Sequence, residues 1–117
     1  MRCRLIRANA EEQVFPDDSF DLVITDTALH MIPDWQGAIK AAAQRLAPQG
    51  VFAGAVPVPG IDENFDRGWS KYSSRPQFHA LATDDLKAAC QANNLDFIRF
   101  ATNGGMFYFQ ATKIEKI

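Results

Sequence analysis

FDLVITD, residues Phe20 to Asp26, is the stretch that decides the fold. It is mostly apolar, rich in β-branched residues and entered through the turn-like Pro16-Asp17-Asp18-Ser19, which is how a strand reads. Its unbroken apolar character predicts an inner strand covered on both faces. Past Ala28-Leu29-His30-Met31-Ile32-Pro33, Asp34 is placed to cap a helix running to about Leu46, because its carboxylate can accept the unpaired amides of the first turn. Ile39, Ala42, Ala43 and Leu46 form one apolar stripe at helical spacing, with Lys40, Gln44 and Arg45 turned away. Pro48 and Gly50 read as the stop. A second strand, Val51 to Val56 (VFAGAV), follows, and its Gly54 permits close approach of backbone or ligand. Strand, helix and strand in sequence make a parallel crossover, so the fold class is α/β.

Outward from this unit the pattern changes. Gly60 to Ala80 has no clear period and reads as a long loop holding at most a short helix. Thr83 is a candidate cap for a helix through about Asn93, with Leu86, Ala89 and Cys90 inward and Asn94 as a left-handed terminator. The chain then alternates from Phe97 to Ala101, turns at Asn103-Gly104-Gly105 and alternates again from Met106 to Thr112. That is an antiparallel hairpin, which makes the sheet mixed. Its phenylalanines, Phe97, Phe100, Phe107 and Phe109, are read as core or interface residues. Arg4 to Arg7 is a candidate further short strand.

The 117 residues, 47% hydrophobic and 22% charged, fit one domain with a core of its own. Twelve basic and fourteen acidic side chains leave a net charge of -2 with no basic block, so neither nucleic acid nor an acidic membrane is an expected partner. Cys3 and Cys90 stand far apart without a CxxC pattern. With no signal-like or membrane-length apolar run, the expected location is a reducing cytoplasm. His30 and His79 lack a local third ligand, and no metal is expected.

Several segments in order carry a resemblance: Ala8-Asn9-Ala10-Glu11-Glu12, Phe15-Pro16-Asp17-Asp18-Ser19-Phe20-Asp21-Leu22-Val23, Ala28-Leu29-His30-Met31-Ile32-Pro33-Asp34, and Arg45-Leu46-Ala47-Pro48-Gln49-Gly50. Together they resemble the later part of a class I S-adenosylmethionine-dependent methyltransferase of the small-molecule, ubiquinone/menaquinone type. The resemblance implies a partial Rossmann-like methyltransferase sheet across residues 1–117, with residues 60–80 as an acceptor-side loop or lid. It implies that Asn9 and Ala10 lie by the donor's adenine, that Glu11 is a further donor-binding residue, and that Thr25, Ala28 and Leu29 border the donor's methionine side. Asn9 stands where the family commonly has aspartate, and its carbonyl oxygen can still accept from the adenine amino group; as a simple turn residue it needs no ligand.

Asp26 and His30 follow the carboxyl end of the central strand, where an open α/β sheet presents its ligand crevice. They are the candidate catalytic pair, as acceptor contact or base; the alternative is that Asp26 caps local structure and His30 bonds a loop. Trp69, Tyr72, Arg75 and His79 are candidate acceptor-binding residues, or else pack over the sheet and face solvent. Methyl transfer needs alignment and exclusion of water rather than an obligatory triad.

No glycine cluster stands in the context of a donor-binding loop. The resemblance therefore implies that the Gly-rich strand–helix unit falls before residue 1, leaving a truncated domain with an incomplete S-adenosylmethionine site and little or no activity alone. An uncovered edge on the central strand predicts a homodimer or an upstream polypeptide partner. The competing reading is a noncatalytic dimerisation or ligand-binding module.

Overall fold

A computed structural model describes residues 15–26, 29–58, 62–69 and 81–114, with the side chains of His30 and Trp69 outside that description. Four strands form one sheet in the order β1-β2-β4-β3: β1 Phe20–Asp26, β2 Leu46–Pro57, β3 Leu95–Asn103 and β4 Met106–Lys113. β1 and β2 run parallel, and β4 is antiparallel to both β2 and β3, so the sheet is mixed as expected. The helices are α1 Trp35–Arg45, α2 Glu63–Trp69 and α3 Thr83–Ala92, with a 3-10 helix at Leu29–Met31. Among the described residues no helix is long and apolar enough to cross a membrane.

Residues directly opposite one another in a sheet share a face. Phe52, Phe109, Val56, Phe107 and Ala111 line one face and pack against Ala38, Ile39 and Ala43 of α1 and Leu86 and Cys90 of α3. The other face carries three cross-strand rows: Leu22, Val51, Thr112 and Asp96; Ile24, Ala53, Gln110 and Arg99; Asp26, Ala55, Tyr108 and Ala101. Of these twelve residues only Ala55 is buried. This corrects the expectation for β1: Leu22 and Ile24 are 52% and 67% exposed, and β1 is an edge strand among the described residues. An apolar run shows which residues suit a covered sheet, whereas the described helices α1 and α3 share one face.

The cap of α1 is as expected, with Asp34 Oδ1 accepting from Gly37 N at 3.0 Å. The carboxyl end differs. Helix α1 passes directly into β2 at Leu46, ahead of Pro48 and Gly50, so β2 is longer than VFAGAV. The last turn of the helix is closed from outside: Asp18 N donates to Gln44 O at 3.0 Å and Ser19 N to Arg45 O at 2.8 Å. Lys113 Nζ donates to Leu46 O at 2.5 Å and to Asp18 Oδ1 at 3.0 Å. Arg45, expected to face away, is buried because this turn folds over it, and its guanidinium meets Asp17 Oδ1 at 2.6 Å.

Helix α3 also departs from expectation at its start, where Ala82 holds the cap position without a side-chain bond and Thr83 is the first helical residue. Its end matches, with Asn94 at a φ of 62°. The hairpin turns at Gly104-Gly105, Gly104 having a φ of 60°. Phe107 and Phe109 are buried as expected, and Phe97 is half-buried, but Phe100 on the outer strand is largely exposed. The candidate strand Arg4 to Arg7 lies outside the described residues.

Gly54 makes the parallel pair possible. A Cβ there would stand 2.6 Å from Thr25 Cγ2, 2.7 Å from Thr25 O and 2.8 Å from Phe109 Cζ. Two of these neighbours are a main-chain oxygen and a packed ring, which cannot yield cheaply. Gly54→Ala is expected to cost about 1–3 kcal/mol through overpacking, read as a lower urea midpoint with an unchanged slope.

Cys90 is fully buried, and burial pushes its thiol up to about 12 from 9.0. In the unfolded chain the thiol ionises first, so stability is intact below about pH 9 and is lost as pH rises toward about 12. Urea titrations across that range should show a shallower alkaline loss in Cys90→Ala than in the parent, each in a Cys3→Ser background.

Candidate functional site

In an open α/β sheet the carboxyl ends of parallel strands present the ligand crevice. Here β1 and β2 end side by side, with Thr25 opposite Gly54 and Asp26 opposite Ala55. Because β4 is antiparallel, its first residue Met106 pairs with Pro57 at the same edge. The β3–β4 turn is tied there as well, since Val58 N donates to Gly105 O at 2.7 Å. One edge therefore collects the ends of both parallel strands and the hairpin turn.

Helix α2 completes this edge. Asp62 caps it, its Oδ1 accepting from Phe65 N at 2.8 Å, while Asp62 O accepts from Asp66 N at 2.9 Å. The Phe65 ring occupies the place a Cβ on Gly105 would take. The expected acceptor-side segment 60–80 thus contains a short helix seated on the hairpin turn. From sequence Gly105 is expected only as a turn residue, and Phe65 has no assigned role. Asp62 ahead of Glu63-Asn64-Phe65 is a legible cap signal, whereas the Phe65–Gly105 contact joins positions with no shared local pattern.

Of the candidate site residues, the structure brings Thr25, Asp26, Leu29 and the backbone of His30 to the region just after β1. Thr25 is half-buried beside Gly54, and Asp26 is exposed. Leu29 is 2% exposed within the core, so a ligand can meet only its main chain. The 3-10 helix holds that backbone, with Ile32 N donating to Leu29 O at 3.1 Å. Trp69 ends α2. Asn9, Ala10, Glu11, Ala28, Tyr72, Arg75 and His79 lie outside the described residues. Among the described residues, no cluster of three or more His, Cys, Asp or Glu could hold a metal.

Residues 1–54 match the family described as a methyltransferase domain. That segment contains the donor-side candidates Asn9 to Glu11 and Thr25 to Leu29 and the acceptor-side candidate His30, and ends on Gly54. The matched segment is similar to a methyltransferase domain, in line with the resemblance that the ordered segments carry.

The ubiquinone/menaquinone biosynthesis C-methyltransferase UbiE of Rickettsia massiliae is 34% identical over 67 residues, which make up 57% of this chain and 27% of that protein. The mitochondrial arginine-hydroxylase NDUFAF5 of Danio rerio is 39% identical over 51 residues, 44% of this chain and 16% of that protein. These matches span less than a third of either relative. The same fold occurs in an S-adenosylmethionine-dependent methyltransferase of Thermotoga maritima, described as a possible histamine N-methyltransferase. That match has a TM-score of 0.76 at 16% identity and covers 92% of this chain and 63% of that one.

The seat of α2 can be tested alone. Gly105→Ala should displace the Phe65 ring and free α2. Hydrogen exchange is expected to rise at the amides of residues 65–69 while those of β4 paired to β2 stay protected.

Proposed function

We propose that this chain forms the acceptor-side part of an S-adenosylmethionine-dependent methyl-transfer domain acting on a small molecule, and supplies one wall of the donor site. The observation that carries the reading is the position of Thr25 to His30: inside the family-matched segment and at the crevice end of β1. Their chemistry fits one wall of a donor site. Thr25 offers a hydroxyl, Asp26 an exposed carboxylate suited to a cationic group, and the Leu29 segment main-chain groups over an apolar base.

When bound, S-adenosylmethionine supplies an electrophilic methyl group on a positively charged sulfur. The chain's own contribution is to position. Asp26 holds positive charge at the strand end, and His30 takes the proton released by the acceptor as its new bond to carbon forms. Trp69, Tyr72, Arg75 and His79 bound the acceptor side, and α2 fixes where that segment begins. Alignment and exclusion of water govern this displacement, so a half-enclosed donor predicts weak binding and very slow turnover.

A noncatalytic binding or dimerisation module is the second reading, favoured by the exposed Leu22 and Ile24. Calorimetry and amide-shift titration with S-adenosylmethionine and S-adenosylhomocysteine separate the two. The expected result is saturable binding of both in roughly the upper-micromolar to millimolar range, with shifts at Thr25, Asp26 and His30 and weakening on Asp26→Ala. No saturable binding of either ligand leaves the second reading standing.

A further inference from the structure

We infer that Phe65 is a positioning residue for the acceptor: seated on Gly105, it makes α2 a fixed wall beside the strand ends instead of a closing lid. That an acceptor is what this wall positions rests on the methyl-transfer reading above. The placement of α2 stands on geometry alone.

The hairpin turn holds two consecutive glycines for different reasons. Gly104 has a φ of 60°, in the left-handed region that favours glycine. Gly105 lies outside that region, so its backbone would accept a side chain. What excludes one is the ring, because a Cβ on Gly105 would fall on Cγ, Cδ1 and Cδ2 of Phe65. Gly105 is thus glycine for the sake of a helix from an earlier part of the chain.

The same glycine holds that part of the chain twice. Where the chain leaves β2, the buried Val58 donates from its N to Gly105 O at 2.7 Å. At Phe65 the chain returns to lie over the same residue. Between these points Asp62 fixes the first turn of α2, its Oδ1 accepting from Phe65 N at 2.8 Å and its carbonyl from Asp66 N at 2.9 Å. A lid closes by turning about residues at its base that absorb the change in backbone angle. This base is tied on both sides to one turn of the hairpin.

Helix α2 cannot supply that order by itself. It has 7 residues, and Gly68 stands within it with open space where a Cβ would be. So short a helix, weakened further by an internal glycine, is marginal in water and depends on tertiary contact. Trp69 ends it one helical turn past Phe65, about 6 Å along the axis. The seat of the ring therefore sets where the candidate acceptor residues from Trp69 onward begin. A wall ordered before the acceptor arrives leaves less freedom to be lost on binding, which favours both affinity and alignment.

Paramagnetic relaxation reads this placement directly. A nitroxide on Ile24→Cys, exposed on β1, in a Cys3→Ser background reports on the amides of residues 63–69, while the fully buried Cys90 stays unlabelled. The labelled protein with Phe65 and Gly105 intact is expected to give one relaxation profile for α2, unchanged at saturating S-adenosylhomocysteine. Phe65→Ala and Gly105→Ala should each lose that profile, and the ring-preserving Phe65→Tyr should keep it, with the β4 amides paired to β2 unchanged in all as evidence of folding. Placement and stability then separate in the double variant: once the ring is gone, Gly105→Ala should no longer lower the thermal midpoint, yet the α2 profile stays lost. An intact profile in Phe65→Ala overturns the proposal. So does a Gly105→Ala effect on the midpoint that is the same with and without the ring, or a profile that S-adenosylhomocysteine changes, which marks a lid. Absence of saturable binding sinks the methyl-transfer reading instead, and the ligand-free profiles still decide the placement.

Discussion

The closing of α1 at its carboxyl end is the constraint on which the rest of the structure depends. A helix leaves its last carbonyls without intrahelical partners. Because α1 passes straight into β2, no connecting loop can supply those partners, and the turn before β1 does so through the amides of Asp18 and Ser19. Lys113, from the far end of the chain, takes the carbonyl of Leu46. The consequence is positional. With Ser19 held on Arg45, Phe20 falls opposite Leu46; the register shifts before Leu22 pairs with Val51, and from there a regular ladder sets Thr25 against Gly54 and Asp26 against Ala55. The bonds at Asp18 and Ser19 thus anchor the entry of β1 beside β2, and the ladder from Leu22 onward places the crevice residues.

Local chemistry was legible in the sequence where its cause is local. FDLVITD is a strand over the expected residues, Asp34 caps α1, Asn94 takes the left-handed conformation, and the hairpin turns at Gly104-Gly105. What could not be read depends on chain brought from a distance. Arg45 sits on the polar side of the stripe by spacing, yet the Asp17 turn folds over it and supplies a carboxylate. β1 has the composition of a covered strand, while the helices described pack on one face only. Gly54 was legible as a place of close approach, but its neighbour Thr25 follows from strand register.

The candidate site divides along the same line. Thr25 and Asp26 were legible because a strand end in an α/β sheet is a ligand position whatever the chemistry, and Leu29 was drawn from the same stretch by family order. Burial then distinguishes them, turning the Leu29 side chain inward and leaving Asp26 exposed. The contact of Phe65 with Gly105 was missed because an aromatic ring over a turn glycine leaves no periodic trace in either segment. At 16% identity and a TM-score of 0.76, the solved structure shares the fold while few side chains are the same. Fold likeness does not itself specify a reaction.

The strand order carries a consequence for synthesis. β4 is the last of the described strands, yet it lies between β2 and β3. While the polypeptide emerges amino end first, β1 and β2 can pair but β3 has no neighbour among the described strands, because its ladder there is with β4. The nascent chain must therefore wait, with the side of β2 that receives β4 unpaired, until Met106 to Lys113 leave the ribosome. A message broken shortly before Met106 would yield a two-stranded ribbon and a detached β3, where losing a peripheral strand would have left a smaller but continuous sheet.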